Sequence, residues 1–170
     1  MAILMIILRI IHIIAGVFWM GAGMMQVRFV APTAQALGPD GQKFMAHLMQ
    51  RTKFSAASGA ASGLTLLSGL IMYALIYDRM QVQPNYGLGI TIGGVFGIIA
   101  FVIGTTMIGV PTGKMKKVLD KVEAAGEPPS PENIAQLQSL GATIDKGGTW
   151  AVITGVIAMI GMSAAQYLMF

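Results

Sequence analysis

The sequence has no cysteine, only two histidines, and charged side chains at 11% of its 170 positions. Missing thiols exclude disulfides, thiolate metal centres and cysteine catalysis. Acidic residues are few, seven Asp and Glu in all, and none falls inside a long apolar run. Carboxylate proton relays and paired acid–base catalysis at membrane depth therefore have no residues to use. Lys and Arg are likewise absent from the second, third and fourth apolar runs, and there is no Cys-x-x-Cys-His attachment motif for a c-type haem.

What is abundant is apolar: 55% of the residues are hydrophobic and the mean hydropathy is +0.70. A run of ~20 such residues crosses a bilayer as a helix. Four are expected, over residues 5–30, 54–77, 87–110 and 148–169, within one transmembrane domain covering 1–170. The fold class is all-α: an integral membrane four-helix bundle, with an amphipathic surface helix after the first span and a cytoplasmic helical hairpin between the third and fourth. The 22 glycines suit close helix packing in lipid. The net charge of +4 sits mostly in loops and reads as a topology signal, not as nucleic-acid binding. Arg28, Lys43, Arg51 and Lys53 lie between spans one and two, and Lys114, Lys116, Lys117, Lys121 and Lys146 between three and four. Basic loops stay cytoplasmic, so both termini are expected outside. The first run has no basic n-region and is too long for an ordinary signal sequence, so it reads as a retained helix.

Along the chain, Ala31-Pro32-Thr33 is expected to end the first helix, because proline disfavours helix at the residue before it. Gly38-Pro39-Asp40-Gly41 is a turn signal, and Gln42 to Phe54 reads as a short amphipathic surface helix with His47 facing solvent or headgroups. Ser55 to Gly63 places small residues four apart, including Gly59-xxx-Gly63, which lets another helix approach closely. Tyr73 and Tyr77 suit the interfacial aromatic belt. Asp78 to Tyr86 reads as a short polar connector. In the third span Gly93-xxx-Gly97 and then Gly104 make a smooth stripe. Beyond Pro111, Lys114 to Lys121 continue as a helix leaving the membrane, and Gly126-Glu-Pro-Pro-Ser130-Pro131 breaks it. Ser130 before Pro131 is an N-cap signal for a helix carrying Ile134, Leu137, Leu140 and Ile144.

The candidate site lies in the first run. Successive helical residues turn by about 100°, which puts His12, Ala15, Gly16, Trp19, Gly23 and Gln26 on one face. An ionisable ring at membrane depth is costly and points to function. Arg9 is either an anchor that snorkels to the headgroups or the partner of an anionic group, such as a cofactor carboxylate, beside His12. A low-spin b-type haem needs two axial ligands. In a regular helix His12 and His47 fall at opposite membrane faces, roughly 25 Å apart or more by rise per residue, so one chain cannot clamp a haem between them. One of the 14 methionines, or another subunit, would have to supply the second ligand. The same methionines admit soft-metal handling such as Cu(I) at His12, although flexible packing accounts for most of them.

The pattern His12-x3-Gly16-x2-Trp19-x-Gly21, with the exit Arg28 to Pro32, resembles the opening helix of several small bacterial membrane families. These are the copper-resistance D family, the membrane domain of cytochrome-linked urate oxidases, and the four-to-five-helix protoporphyrinogen oxidases. Ala158 to Tyr167 is similar to the last helix of uncharacterised members of that group. The resemblance implies a bundle in the bacterial inner (cytoplasmic) membrane whose first-helix histidine faces the interior and, in the oxidase branch, serves haem. Three readings follow. The first is a redox-associated protein, with a role in electron transfer, holding a b-type haem or related porphyrin against the His12 face, with Arg9, Gly16 and Trp19. The second is a non-catalytic subunit packed against other membrane subunits or a second copy. The third is a metal-handling protein.

Overall fold

Two prolines sit where apolar helices must pass them, and both are handled alike. In the computed structural model, which describes residues 2–126 and 128–168, helix α1 (Ala2–Met25) runs into a π-helical turn, Gln26–Val30, and then α2 (Ala31–Ala36). The Ala31 N–H reaches five residues back to the Gln26 carbonyl. That wider turn immediately precedes Pro32, whose missing N–H and bulky ring would otherwise break a tight helix. The chain therefore stays helical to Ala36, past the end expected at Pro32. Helix α3 (Pro39–Ala46) follows, continued by a second π-helical turn, His47–Arg51. Its start is fixed by Gly38, at φ +57°, and by Pro39 in the first turn. Gly41 lies against the Ala34 carbonyl closer than any side chain would allow, which folds α3 back on α2.

Helix α4 (Phe54–Leu75) is the second span, and the connector after it is itself partly helical, as α5 (Tyr77–Val82). Helix α6 (Pro84–Ile103) starts with Pro84 in its first turn. A third π-helical turn, Gly104–Gly109, leads into α7 (Val110–Ala125). Here the Val110 N–H bonds the Thr105 carbonyl just before Pro111, repeating the arrangement at Pro32. The lysine-rich continuation out of the membrane is thus helical, and it ends at Gly126, in the left-handed conformation at φ +65°. Helix α8 (Pro131–Ala165) is capped by Ser130, whose Oγ accepts from the Asn133 N–H at 3.2 Å. The second arm of the hairpin and the fourth span are one uninterrupted 35-residue helix. The expected end of that span at Met169, like Met1, Glu127 and Phe170, lies outside the described residues.

Among the described residues there is no strand, and four helical stretches are long and apolar enough to cross a membrane. The protein is an all-α integral membrane bundle. Its most extensive contacts pair α6 with α8 and α1 with α4. The first pair meets backbone to backbone. A Cβ on Gly93 would lie 2.9 Å from the Ala158 carbonyl oxygen and 2.6 Å from Met162 Cγ. One on Gly161 would lie 3.0 Å from the Gly93 nitrogen. Only residues without bulk permit this approach, and in lipid such packing is what holds helices together. The expected stripe divides at Gly104, which faces not α8 but the Trp19 ring, with Cζ2 at 3.9 Å.

The two pairs join along α1 and α8. Val27 packs on Gly148, Gly23 on Val152, and the Met20 thioether fills the space left by Gly155. Met107 closes on Gly147 from the other side. At the end of the bundle carrying the termini, Tyr73 Oη and Thr91 Oγ1 bond at 2.9 Å between α4 and α6, so Tyr73 joins helices there. At the opposite, basic end Arg51 bonds both carboxylate oxygens of Glu123, at 3.0 and 3.2 Å.

Candidate functional site

His12 lies near the middle of α1, half-buried against α4. Its Nδ1 is 2.8 Å from the Thr65 carbonyl oxygen and 3.3 Å from Ser68 Oγ. A carbonyl oxygen only accepts, so Nδ1 carries the proton and donates it to Thr65. In the neutral ring the lone pair is therefore on Nε2, which has no hydrogen-bond partner among the described residues. The carbonyl can take this bond because a helical C=O has a second lone pair beyond the one used within the helix.

The seat is built from α4. Ser68 is 4% exposed, and its hydroxyl turns back to the Leu64 and Thr65 carbonyls. Thr65 Oγ1 likewise donates to the Ala61 carbonyl at 2.8 Å. Each hydroxyl thus donates inside its own helix, and the Ser68 oxygen stays within 3.3 Å of the imidazole Nδ1. Gly69 makes room for the ring: a Cβ there would sit 2.9 Å from His12 Cε1 and 3.2 Å from Nδ1. Gly16, one turn along α1, faces the Thr65 side chain at 3.6 Å.

The candidate residues therefore separate. His12 and Gly16 come together with Thr65, Ser68 and Gly69 on α4. Trp19 is turned to Gly104, across the bundle and about 10 Å along the helix from His12 by rise per residue. Arg9 is exposed, one turn nearer the chain start, and has no side-chain partner among the described residues. Gln26 leaves the histidine face and donates to Met45 Sδ at 3.6 Å. His47 is exposed beyond the far end of α4. Among the described residues no three His, Asp or Glu side chains gather where they could hold a metal ion.

Sequence reasoning missed the seat. It singled out Gly59-xxx-Gly63 for close approach, yet neither glycine has a neighbour within 4 Å. The contact is made one to two turns later, by Thr65, Ser68 and Gly69. The available signal was two hydroxyls three residues apart, followed by glycine, in an otherwise aliphatic run. Comparison of the chain with protein-family models, with curated proteins and with solved structures found no match.

Proposed function

We propose that this integral membrane protein is redox-associated and holds a b-type haem, or a related porphyrin, through Nε2 of His12. The observation that carries the reading is the 2.8 Å bond from Nδ1–H to the Thr65 carbonyl. A ligating histidine needs its other nitrogen tied to an acceptor, which sets the tautomer, fixes the ring plane and raises the basicity of the free nitrogen. A bound haem would supply one-electron chemistry; Nε2 of His12 would be the nitrogen that holds it, and α4 would keep the imidazole from rotating. The membrane is the bacterial cytoplasmic membrane, with both termini outside by the charge of the loops, so His12 lies in the outer half.

A second reading has its own support. Gly59 and Gly63 leave a smooth, uncovered strip on α4. Such a strip suits another membrane subunit or a second copy. In that case the protein is a non-catalytic subunit and the histidine only bridges helices. Pyridine haemochrome analysis of the detergent-extracted wild type and His12→Ala separates the two. Porphyrin in the wild type that is lost from a folded His12→Ala supports haem binding. Porphyrin in neither sample refutes it, and bound copper without porphyrin would point to metal handling.

A further inference from the structure

The contacts that join α1 to α8 follow a strict register. Val27 meets Gly148, Gly23 meets Val152, and Met20 meets Gly155, so numbers along the antiparallel pair sum to 175. Continued toward the termini, the register sets Gly16 opposite Met159, His12 opposite Ser163, and Arg9 opposite Gln166. Helical geometry agrees about the faces. At 100° per residue, Met159 and Gln166 fall within the sector of α8 defined by Gly148, Val152 and Gly155. Arg9 and Gly16 fall within the sector of α1 defined by Met20 and Gly23 by the same count.

Yet the helices do not close over these residues. Met20 is 9% exposed, whereas Met159, next in the α8 sector after Gly155, is 41% exposed. Arg9, Ser163 and Gln166 are exposed as well, and none of their side chains has a hydrogen-bond partner among the described residues. Along this register the two helices meet at the basic half of the bundle, and the residues it would pair at the terminal half are exposed. His12 borders that half, held from behind by α4.

Resting on the haem reading, we propose that the terminal half of this α1–α8 seam is the cofactor slot and that Met159, about one turn along α8 from the position opposite His12, is the second ligand. A thioether sulfur binds haem iron through a lone pair, with no proton to displace, and His/Met ligation is one of the standard axial sets. The ligand opposite a histidine must come from across the porphyrin, which removes the methionines of α1 and α4. On α8, Met162 is committed to α6, its Cγ filling the space over Gly93. Met159 remains. It lies four residues, ~6 Å by rise, from the level of His12, an offset that a tilted macrocycle and a three-carbon side chain span. Arg9 with Gln166 at the mouth suits the carboxylates of the porphyrin edge.

The test uses detergent-purified wild type, His12→Ala, Met159→Leu, Met159→His and Met162→Leu, each checked for a monodisperse folded species. The wild type and Met162→Leu are expected to be six-coordinate and low-spin. Met159→Leu, which keeps volume, is expected to retain haem, turn high-spin in the ferric state and bind carbon monoxide when reduced. Met159→His is expected to stay low-spin with a lower midpoint potential, because imidazole replaces thioether. Bound haem whose spin state and potential are unchanged in both Met159 variants would overturn Met159 as ligand while leaving the haem reading intact. A wild type with no Soret absorption would overturn the haem reading itself, and the ligand assignment with it.

Discussion

The imidazole Nδ1 of His12 and the backbone carbonyl of Thr65 lie 2.8 Å apart, across two helices and 53 positions of chain. The bond reaches a main-chain acceptor, so no substitution at Thr65 removes it directly. Its weak point is Gly69, where any Cβ would sit 2.9 Å from the ring. Gly69→Val is expected to push the imidazole off its seat and to lower stability by ~1–3 kcal/mol as overpacking. Gly69→Ala asks only for a few tenths of an ångström and is expected to cost less. Equilibrium unfolding in mixed micelles measures the difference, and equal stability of all three proteins would contradict the seat.

The α6–α8 seam predicts opposite outcomes at adjacent glycines. A side chain at Gly93 would meet backbone atoms of α8 at 2.9 Å, whereas Gly94 has nothing within 4 Å. Gly93→Ala is expected to cost ~1–3 kcal/mol. Gly94→Ala is expected to be neutral or to gain up to ~1 kcal/mol from helix propensity. Thermal unfolding of the two variants side by side is the check.

Ser58 carries a buried Oγ without a hydrogen-bond partner among the described residues. A hydroxyl shielded in this way loses its hydration and gains nothing in return. Ser58→Ala is therefore expected to stabilise the protein, by up to ~1 kcal/mol, seen as a raised unfolding midpoint. A marked loss would mean that the hydroxyl has a partner from outside the chain.

At the basic end, the Arg51–Glu123 pair joins the loop between the first two spans to the hairpin arm α7. The two side chains are 62% and 69% exposed, and one guanidinium nitrogen serves both carboxylate oxygens, so solvent and salt screen the pair. A double-mutant cycle over Arg51→Ala and Glu123→Ala is expected to give a coupling below ~1 kcal/mol that fades as salt is added. A coupling of several kcal/mol would show that the pair is shielded by something more than this chain.

Much of this architecture was legible in the residues themselves. Four apolar runs, the Ser130-Pro131 cap and the lysine-bearing continuation beyond Pro111 each depend on local chemistry, and each is found. Pro32 misled because its effect on a helix depends on the preceding turn, and the π-helical widening at Gln26–Val30 has no simple sequence mark. The glycines misled for a different reason. Gly59-xxx-Gly63 and Gly93-xxx-Gly97 look alike along the chain, but only a neighbouring helix decides which is used. The histidine's seat was hidden likewise, since its acceptor is a backbone carbonyl, which every residue carries.

The reduced-minus-oxidised absorption spectrum of the detergent-purified protein tests the central claim most directly. A Soret band with sharp α and β bands is expected on dithionite reduction, all lost in a folded His12→Ala variant. A folded, colourless wild type purified from cells supplied with haem would contradict it.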